Sequence, residues 1–310
     1  MSRVSSDEQA CPTSKFNQPE PPIFKNMNDL TVTDAASHKD VVLVTVLVKT
    51  NEVNNIPELL SLLSSLTYPL DKLDLAFMLT DPTSGSKAFL EHMLLHNRNS
   101  FRSVSAYAKS ITTSLGDGKD NVYEMQPLIR SKWARARNYL IKSALRDEHK
   151  WILALDINVQ HVPNNIVEQL MDADVDVVVP NCMVKRSDGL LWGYDKSNWQ
   201  ETEVSNVLME DYQEEFVLLE GFWQLQTHRL LLIDMPTTAD RHAKIPLDGI
   251  GSCFSLSKAH VHRTGVIYPP FPYHRSIDTE GFAQMAKAAG FSVYGLPGVQ
   301  VLHGPEPLTN

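Results

Sequence analysis

Three runs of apolar residues in the first half of the chain predict buried β-strands, at residues 41–48, 73–79 and 151–155. The runs do not alternate regularly with polar residues, which is typical of strands covered on both faces of a sheet. Between the first two runs, apolar residues at positions 56, 59, 60, 62, 63 and 66 follow the spacing of an amphipathic helix that begins near Pro57. This order of elements predicts an α/β domain with a mostly parallel sheet flanked by helices.

The alternation of strands and helices continues as far as Pro180. Further strands are predicted at residues 101–108 and 175–180, and helices up to about residue 96 and at residues 126–145 and 165–171. Between them, the polar segment 116–121 is typical of a surface loop that could order over a ligand. Residues 181–220 are instead rich in aromatic and acidic side chains. These residues predict either a separate binding subdomain or the cover of a small core.

Composition divides the chain into an arm and one domain. Residues 1–39 are polar, include four prolines at positions 12, 19, 21 and 22, and show no apolar period, which predicts a disordered arm. The remaining residues, 40–310, form a single predicted domain, and an apolar fraction of 43% across the chain supports a substantial core. The net charge of −9, without a long basic block, argues against a nucleic-acid partner.

Cysteine usage and hydropathy give an expectation about compartment. The three cysteines, Cys11, Cys182 and Cys253, have neither a disulfide-framework nor a metal-site spacing, so we expect reduced thiols. The sequence has no apolar window of the roughly 18 to 20 residues that a bilayer crossing needs. We therefore expect a soluble cytoplasmic protein from the chain as it stands, although a chain trimmed of a membrane anchor would also lack such a window.

Candidate chemistry begins where the third apolar run ends. Asp156 and Asn158 directly follow this strand, at the sheet edge where open α/β sheets place their active sites. The ordinary alternative is an aspartate that starts a turn. On the helix before this strand, Arg130 and Arg137 are either solvated charges or ligands for anionic oxygens, which the planar guanidinium matches well.

The last third of the chain adds several polar candidates with ordinary alternatives. The segment 246–256 is a glycine-rich turn that leads into a strand and carries Asp248. Glu280 lies near the start of a helix at 283–289, where a carboxylate is commonly a cap. A short strand at 298–304 ends on His303, and an isolated histidine is more often structural than a metal ligand.

Taken together, several short motifs resemble the fungal Golgi α-mannosyltransferases of glycosyltransferase family 62, the mannan-polymerase subunit family. The match runs from about residue 41 to residue 303. The motifs that carry it are SLTYP (65–69), DLAF (74–77), ARARNYL (134–140), VPN (179–181), EG (220–221), LDGIG (247–251), VHRTG (261–265), TEGFAQMAK (279–287) and YGLP (294–297).

This resemblance implies a GT-A fold, a GDP-mannose donor, a Mn²⁺ or Mg²⁺ ion and retention of anomeric configuration. It places a nucleotide-sugar half at about residues 40–180 and an acceptor-side half at about 181–310. Asp156 falls on the first acid of the family's Asp-x-Asp motif and His303 on its late histidine, so both are the expected metal ligands. Asn158 replaces the second acid, and a neutral amide is a weaker ligand for a hard cation than a carboxylate. No segment of the given sequence matches the family's amino-terminal membrane anchor, so the resemblance implies the Golgi lumen if the chain has been trimmed of that anchor.

The remaining candidates are grouped by expected role. Residues expected to bind the donor are Asp156, Asn158, Arg130, Arg137, Asp81 and Thr50. The carboxylates expected around the acceptor are Glu280, Asp248 and Glu220. Among these, Glu280 is the candidate for accepting the acceptor's proton, and Asp248 is expected to contact donor or acceptor hydroxyl groups.

Two rival functions stay open from the sequence. The first is a catalytically weak scaffold subunit of a glycosyltransferase complex, which Asn158 would mark. The second is an enzyme of the same fold that glycosylates a small lipid or secondary metabolite. Expected partners are a nucleotide sugar, a carbohydrate, lipid or small-molecule acceptor, and other copies or related subunits in a homo- or hetero-oligomer.

Overall fold

The computed structural model describes residues 39–111, 122–213, 215–222, 226–237, 240 and 243–304. The predicted loop at 116–121 and residues 1–38 of the predicted arm lie outside this range. The strands are β1 (Val41–Lys49), β2 (Leu73–Thr80), β3 (Ser103–Lys109), β4 (His149–Asp156), β5 (Val159–His161), β6 (Val177–Lys185), β7 (Leu191–Gly193), β8 (Trp199–Gln200), β9 (Leu230–Leu231), β10 (Ile245–Pro246), β11 (Phe254–Lys258) and β12 (Val293–His303).

The helices alternate with these strands in the first half of the described chain. They are α1 (Ile56–Ser64), α2 (Ser84–Asn97), α3 (Gln126–Ala144), α4 (Ile166–Met171), α5 (Glu203–Glu210), α6 (Ala259–Arg263) and α7 (Asp278–Ala288). Helix α1 has Pro57 in its first turn, where the missing N–H leaves no bond unmade. Helix α2 begins after Thr83, whose hydroxyl accepts a hydrogen bond from the Ser86 N–H at 3.1 Å.

One mixed sheet organises the described residues, with the strand order β10-β12-β6-β11-β4-β1-β2-β3. Strands β3, β2, β1 and β4 run parallel, and β6 is parallel to β12. The predicted α/β class with a mostly parallel sheet is therefore confirmed. Regular parallel alternation ends at β11, which lies antiparallel between β4 and β6. This insertion brings the chain before β11 to the end of β4, where the Asp156 N–H donates to the Cys253 carbonyl at 2.8 Å.

Strand β1 shows why the apolar runs lack alternation. Val42, Val44 and Val46 face one core, together with α1, α2 and α4. Leu43, between them, faces a second core that includes residues of α3, α6 and α7. Because successive side chains of a strand point to opposite faces, a sheet with helices on both faces requires apolar residues at nearly every position.

A disulfide joins Cys182 of β6 to Cys253, just before β11. The expectation of reduced thiols is therefore wrong for these two residues. Their separation of 71 residues gave no recognisable spacing, because the pairing depends on β11 lying beside β6. Both cysteines are buried, so the disulfide lies within the core and links β6 to the start of β11, the two strands that lie between β4 and β12.

Candidate active site

Asp156 and His303 meet although their strands are separated in the sheet by β11 and β6. Strand β5, directly after Asp156, pairs with the end of β12, and Val159 lies opposite His303. The Gly304 N–H donates to the Asn158 carbonyl at 2.8 Å and stabilises this pairing of β5 with β12. As a result, His303 Nε2 lies 3.5 Å from Asp156 Oδ1. The two predicted metal ligands are thus on the same side of the molecule.

Each partner shifts the pKa of the other. Burial favours the neutral form of Asp156, but the hydrogen bond and charge of His303 and the Asn158 N–H hold its pKa below the usual value. Burial also opposes protonation of His303, yet the Asp156 carboxylate raises its pKa. His303 Nδ1 lies 2.7 Å from the Gly304 carbonyl, which can only accept, so Nδ1 carries a proton. This bond orients Nε2 towards Asp156, and metal-binding histidines are oriented in the same way.

The pair fits a divalent cation only in part. A carboxylate and an imidazole nitrogen are suitable ligands for Mn²⁺, and the fixed Nδ1–H leaves Nε2 available. Among the described residues, no group of three or more His, Cys, Asp and Glu side chains could hold a metal ion. A cation held by Asp156 and His303 would therefore take its remaining ligands from substrate oxygens and water.

The Asn158 side chain is hydrogen-bonded within the protein. Its side-chain oxygen accepts a hydrogen bond from Asn55 Nδ2 at 2.7 Å, and its Nδ2 lies 3.5 Å from Glu52 Oε1. Glu52 itself pairs with Lys49 Nζ at 3.2 Å. The amide therefore joins the Asp156 turn to the segment after β1.

A cavity of about 710 Å³ opens beside the Asp156 carboxylate. This volume lies within the range of small-molecule sites. Helix α3 contributes Trp133 to one wall. The charged lining residues are Lys49, Glu52, Arg130, Arg137, Asp156, Asp195, Lys196, Glu220 and Asp278. Both signs of charge surround the cavity, as a ligand with an anionic part and hydroxyl groups would require.

The two predicted arginines line the cavity, but each also faces a buried carboxylate of α7. Arg137 Nη1 lies 3.2 Å from Asp278 Oδ2, and Arg130 Nη1 lies 3.5 Å from Glu280 Oε1. Burial raises the pKa of both Asp278 and Glu280 against the opposing effect of the arginines. Part of each arginine's charge is thus balanced within the protein.

Glu280 and Asp248 lie away from the cavity lining. Glu280 is fully buried, whereas its neighbours Asp278 and Thr279 reach the cavity. Asp248 accepts a hydrogen bond from the Glu201 N–H at 2.7 Å and pairs with Lys287. These contacts join the segment after β8 to α7.

Of the three predicted acceptor-side carboxylates, Glu220 is the one that lines the cavity. Arg229 Nη1 lies 3.4 Å from Glu220 Oε1, and the Thr227 hydroxyl also donates to this oxygen. The guanidinium of Arg229 lies 3.6 Å from the centre of the Trp199 ring. The buried Arg229, itself stacked on Trp199, therefore fixes the position of the Glu220 carboxylate.

Thr50 and Asp81 lie together at the carboxyl ends of β1 and β2, outside the cavity lining. The Thr50 hydroxyl donates to the Asp81 carbonyl at 2.7 Å. The Asp81 carboxylate accepts from the Ile111 N–H at 3.0 Å and from Lys132 Nζ at 2.5 Å. Lys132 links this pair to the cavity wall, because its Nζ also lies 5.3 Å from the ring centre of Trp133.

Sequence reasoning missed Asp195 and Asp278. Asp195 Oδ1 accepts from the Ser197 N–H at 3.1 Å and Oδ2 from the Cys253 N–H at 3.0 Å, while burial raises its pKa. Asp278 has a φ of 54°, in the left-handed region. No periodic pattern marks either residue. The one usable signal was Gly251, where a Cβ would lie 1.9 Å from Asp195 Oδ2.

The comparison with known families adds an independent finding. The Anp1 family model matches residues 24–272. The chain belongs to the Anp1 family. This Anp1-family chain is 34% identical over 256 residues to the "Mannan polymerase II complex anp1 subunit" of Schizosaccharomyces pombe, covering 79% of this chain and 60% of that protein. It is 30% identical over 296 residues to the "Mannan polymerase complex subunit MNN9" of Candida albicans, covering 90% of this chain and 78% of that protein.

Solved structures give weaker likenesses to this Anp1-family chain. The "Mannosyltransferase PcManGT from Pyrobaculum calidifontis in complex with GDP-Man and Mn2+" has a TM-score of 0.46 and 16% identity, covering 86% of this chain and 58% of that one. GalNAc-T7 "with UDP, GalNAc and Mn2+" has a TM-score of 0.48 and 11% identity, covering 86% and 44%. Within the described part of the chain, no helix has the length and apolarity of a membrane span.

Proposed function

We propose that this chain is a GT-A-type glycosyltransferase that moves mannose from GDP-mannose to a hydroxyl group of a carbohydrate acceptor. We further propose that a Mn²⁺ or Mg²⁺ ion assists the transfer and that the anomeric configuration is retained. One observation carries this proposal: Asp156 and His303 converge beside a cavity of about 710 Å³ at the carboxyl end of β4. Membership of the Anp1 family and relatives named as mannan polymerase subunits support it.

The geometry suggests how the chain's own residues would serve this reaction. Negative charge collects on the departing diphosphate, so its stabilisation is the main catalytic task. Asp156 and His303 would hold the cation, which supplies Lewis-acid stabilisation of that charge when bound. Arg130 and Arg137 would contribute from the α3 wall, and the pairing of each with a carboxylate of α7 fixes its guanidinium in place.

Roles on the acceptor side follow from exposure to the cavity. A general base must reach the proton that it removes, so Glu220 is the better proposed acceptor-side carboxylate. Glu280, fully buried against Arg130, is proposed to position that arginine. Asp248 is proposed to hold the segment after β8 on α7. Thr50 and Asp81 are proposed to contact the nucleoside end of the donor.

The buried disulfide favours an oxidising compartment, in agreement with the Golgi-lumen alternative. The relatives' names also support assembly with related subunits, so we include a hetero-oligomer in the proposal.

A second candidate is a subunit that binds the donor but transfers the sugar weakly. The position of Asn158 favours it, because the amide oxygen at the second motif position is bound by Asn55. Such a subunit would bind GDP with a cation, release little GDP from GDP-mannose alone, and gain activity when it is combined with a related subunit.

The proposal is tested by incubating purified chain with GDP-mannose and a mannotriose, with Mn²⁺ or with EDTA. We expect cation-dependent GDP release and a product whose new anomeric proton has the α configuration by NMR. The variant E220Q should lose at least tenfold in the transfer rate at unchanged GDP affinity, whereas E210Q, an exposed glutamate at the end of α5, should behave as wild type. Absence of both GDP release and GDP binding would refute the proposal.

A further inference from the structure

The hairpin between β6 and β7 presents an exposed tryptophan, Trp192, directly before two residues that line the cavity, Gly193 and Tyr194. The turn is closed by the Arg186 N–H, which donates to the Leu190 carbonyl at 2.9 Å, and by Gly189 with a φ of 84°. Leu190, Leu191 and Trp192 are 64%, 43% and 57% exposed. A large aromatic side chain that is this exposed packs little against its own core, so its ring is available to bind a ligand.

Strand register places Trp192 on the same face of the sheet as His303. Trp192 lies directly opposite Val184 of β6, and Val184 lies directly beside His303 of β12. Residues paired in this way project to the same face, so the three side chains form one row. Val184 lines the cavity, and neighbouring strands are about 4.8 Å apart, so Trp192 follows roughly 10 Å from His303.

The residues after Trp192 confirm this assignment of faces. Tyr194, two positions further on, stacks on the His303 ring with the ring centres 3.8 Å apart. Gly193, between them, points to the opposite face, where a Cβ would lie 2.5 Å from the Ile233 side chain. Val184 and Tyr194, on the face that Trp192 shares with His303, both line the cavity, and Trp192 lies next to them, just outside the lining.

We propose that Trp192 is a stacking platform for a sugar ring of the acceptor, at the rim of the donor cavity. This inference rests on the proposed function, which supplies a carbohydrate acceptor. The flat apolar face of a pyranose ring suits the indole. The Arg186 guanidinium, 5.1 Å from the indole centre, and the neighbouring Asp188, 3.6 Å from Arg186 Nε, provide a donor and an acceptor for hydroxyl groups.

A protein partner is the rival occupant, and the hairpin distinguishes the two. Leu191 lies opposite Lys185, on the other face of the hairpin from Trp192. A partner subunit that bound the hairpin tip would need the exposed leucines, whereas a sugar at the cavity rim would contact Trp192 and neither leucine. The continuity of Trp192 with Val184, Tyr194 and His303 favours the sugar.

The experiment titrates a mannotriose into GDP-loaded protein and compares wild type with W192A, W192F and the control L191A. Binding is followed by calorimetry, and GDP release is measured separately. We expect W192A to bind mannotriose about five- to tenfold more weakly, with W192F intermediate and L191A unchanged. GDP affinity and GDP release without acceptor should stay at the wild-type level in all three variants.

Three other outcomes would refute the proposed role of Trp192 in stacking on a sugar ring. Equal mannotriose affinity in wild type and W192A would refute it, as would wild-type protein that binds GDP but no mannotriose at millimolar concentration. If W192A and L191A both lose self-association or assembly with a related subunit while saccharide binding is unchanged, the tip is a protein interface instead. Failure of the proposed function gives a different pattern, in which mannotriose binding depends on Trp192 but no mannose is transferred.

Discussion

Replacing both Cys182 and Cys253 by alanine should lower the free energy of unfolding by about 4 kcal/mol. The disulfide closes a loop with a sequence separation of 71 residues. Removing such a cross-link increases the conformational entropy of the unfolded chain, and the increase grows with the logarithm of loop length. A loss of this size is a large fraction of the stability of roughly 5 to 15 kcal/mol that is usual for a domain.

The assay is urea unfolding followed by tryptophan fluorescence, supported by calorimetry. We expect the melting temperature of the double variant to fall by about 10 °C. Each single variant, C182A or C253A, should lose nearly as much as the double variant, because removing either cysteine breaks the same bond. The matched control C11A changes a cysteine outside the described residues and should leave stability unchanged.

Thiol counting gives an independent check of the same reasoning. The chain has three cysteines, so denatured but unreduced protein should show one reactive thiol. Three reactive thiols, together with additive losses in the single and double variants, would refute the disulfide.

Two further predictions test the packing around the site. Burial lowers the pKa of His262 to about 4, so the unfolded state binds a proton first as the pH falls below about 6.5. The free energy of unfolding should therefore drop by about 3 kcal/mol between pH 6.5 and pH 4, and H262Q should flatten this slope in denaturant titrations. The substitution G251A should lower the melting temperature and weaken GDP binding, because a Cβ would clash with Asp195. Its control G85A, in open space on α2, should be neutral or stabilising by up to about 1 kcal/mol, and a wild-type melting temperature for G251A would contradict the clash.

Much of the fold could be predicted because apolar period is a local property of the sequence. The predicted strand at 41–48 is Val41–Lys49, and the predicted helix at 126–145 is Gln126–Ala144. A strand was predicted after the glycine-rich turn at 246–256, but its antiparallel place in the sheet and the disulfide were not predictable in the same way. The antiparallel insertion of β11 depends on which strands leave a gap in the sheet, and that is a property of the whole topology.

The sequence predicts those site residues that directly follow or end a strand, because the end of a strand fixes where such a residue lies on the sheet. Asp156 ends a buried strand, and the resemblance marked His303. Their 3.5 Å separation depends on β5 crossing to β12, which a three-residue strand does not reveal in sequence. The burial of Glu280 could not be deduced, because a helix-start carboxylate is usually exposed and this one turns inward against Arg130. The left-handed backbone of Asp278 likewise has no sequence signal.

The central claim is that Asp156 and His303 together hold a cation that binds the donor's diphosphate. Calorimetric titration of GDP into the purified chain, with Mn²⁺ and with EDTA, tests it most directly. We expect GDP affinity to fall at least tenfold on removal of Mn²⁺, and D156N and H303A to bind GDP equally weakly with or without the ion while they remain folded. GDP affinity that is the same in wild type, D156N and H303A in the presence of Mn²⁺ would contradict it.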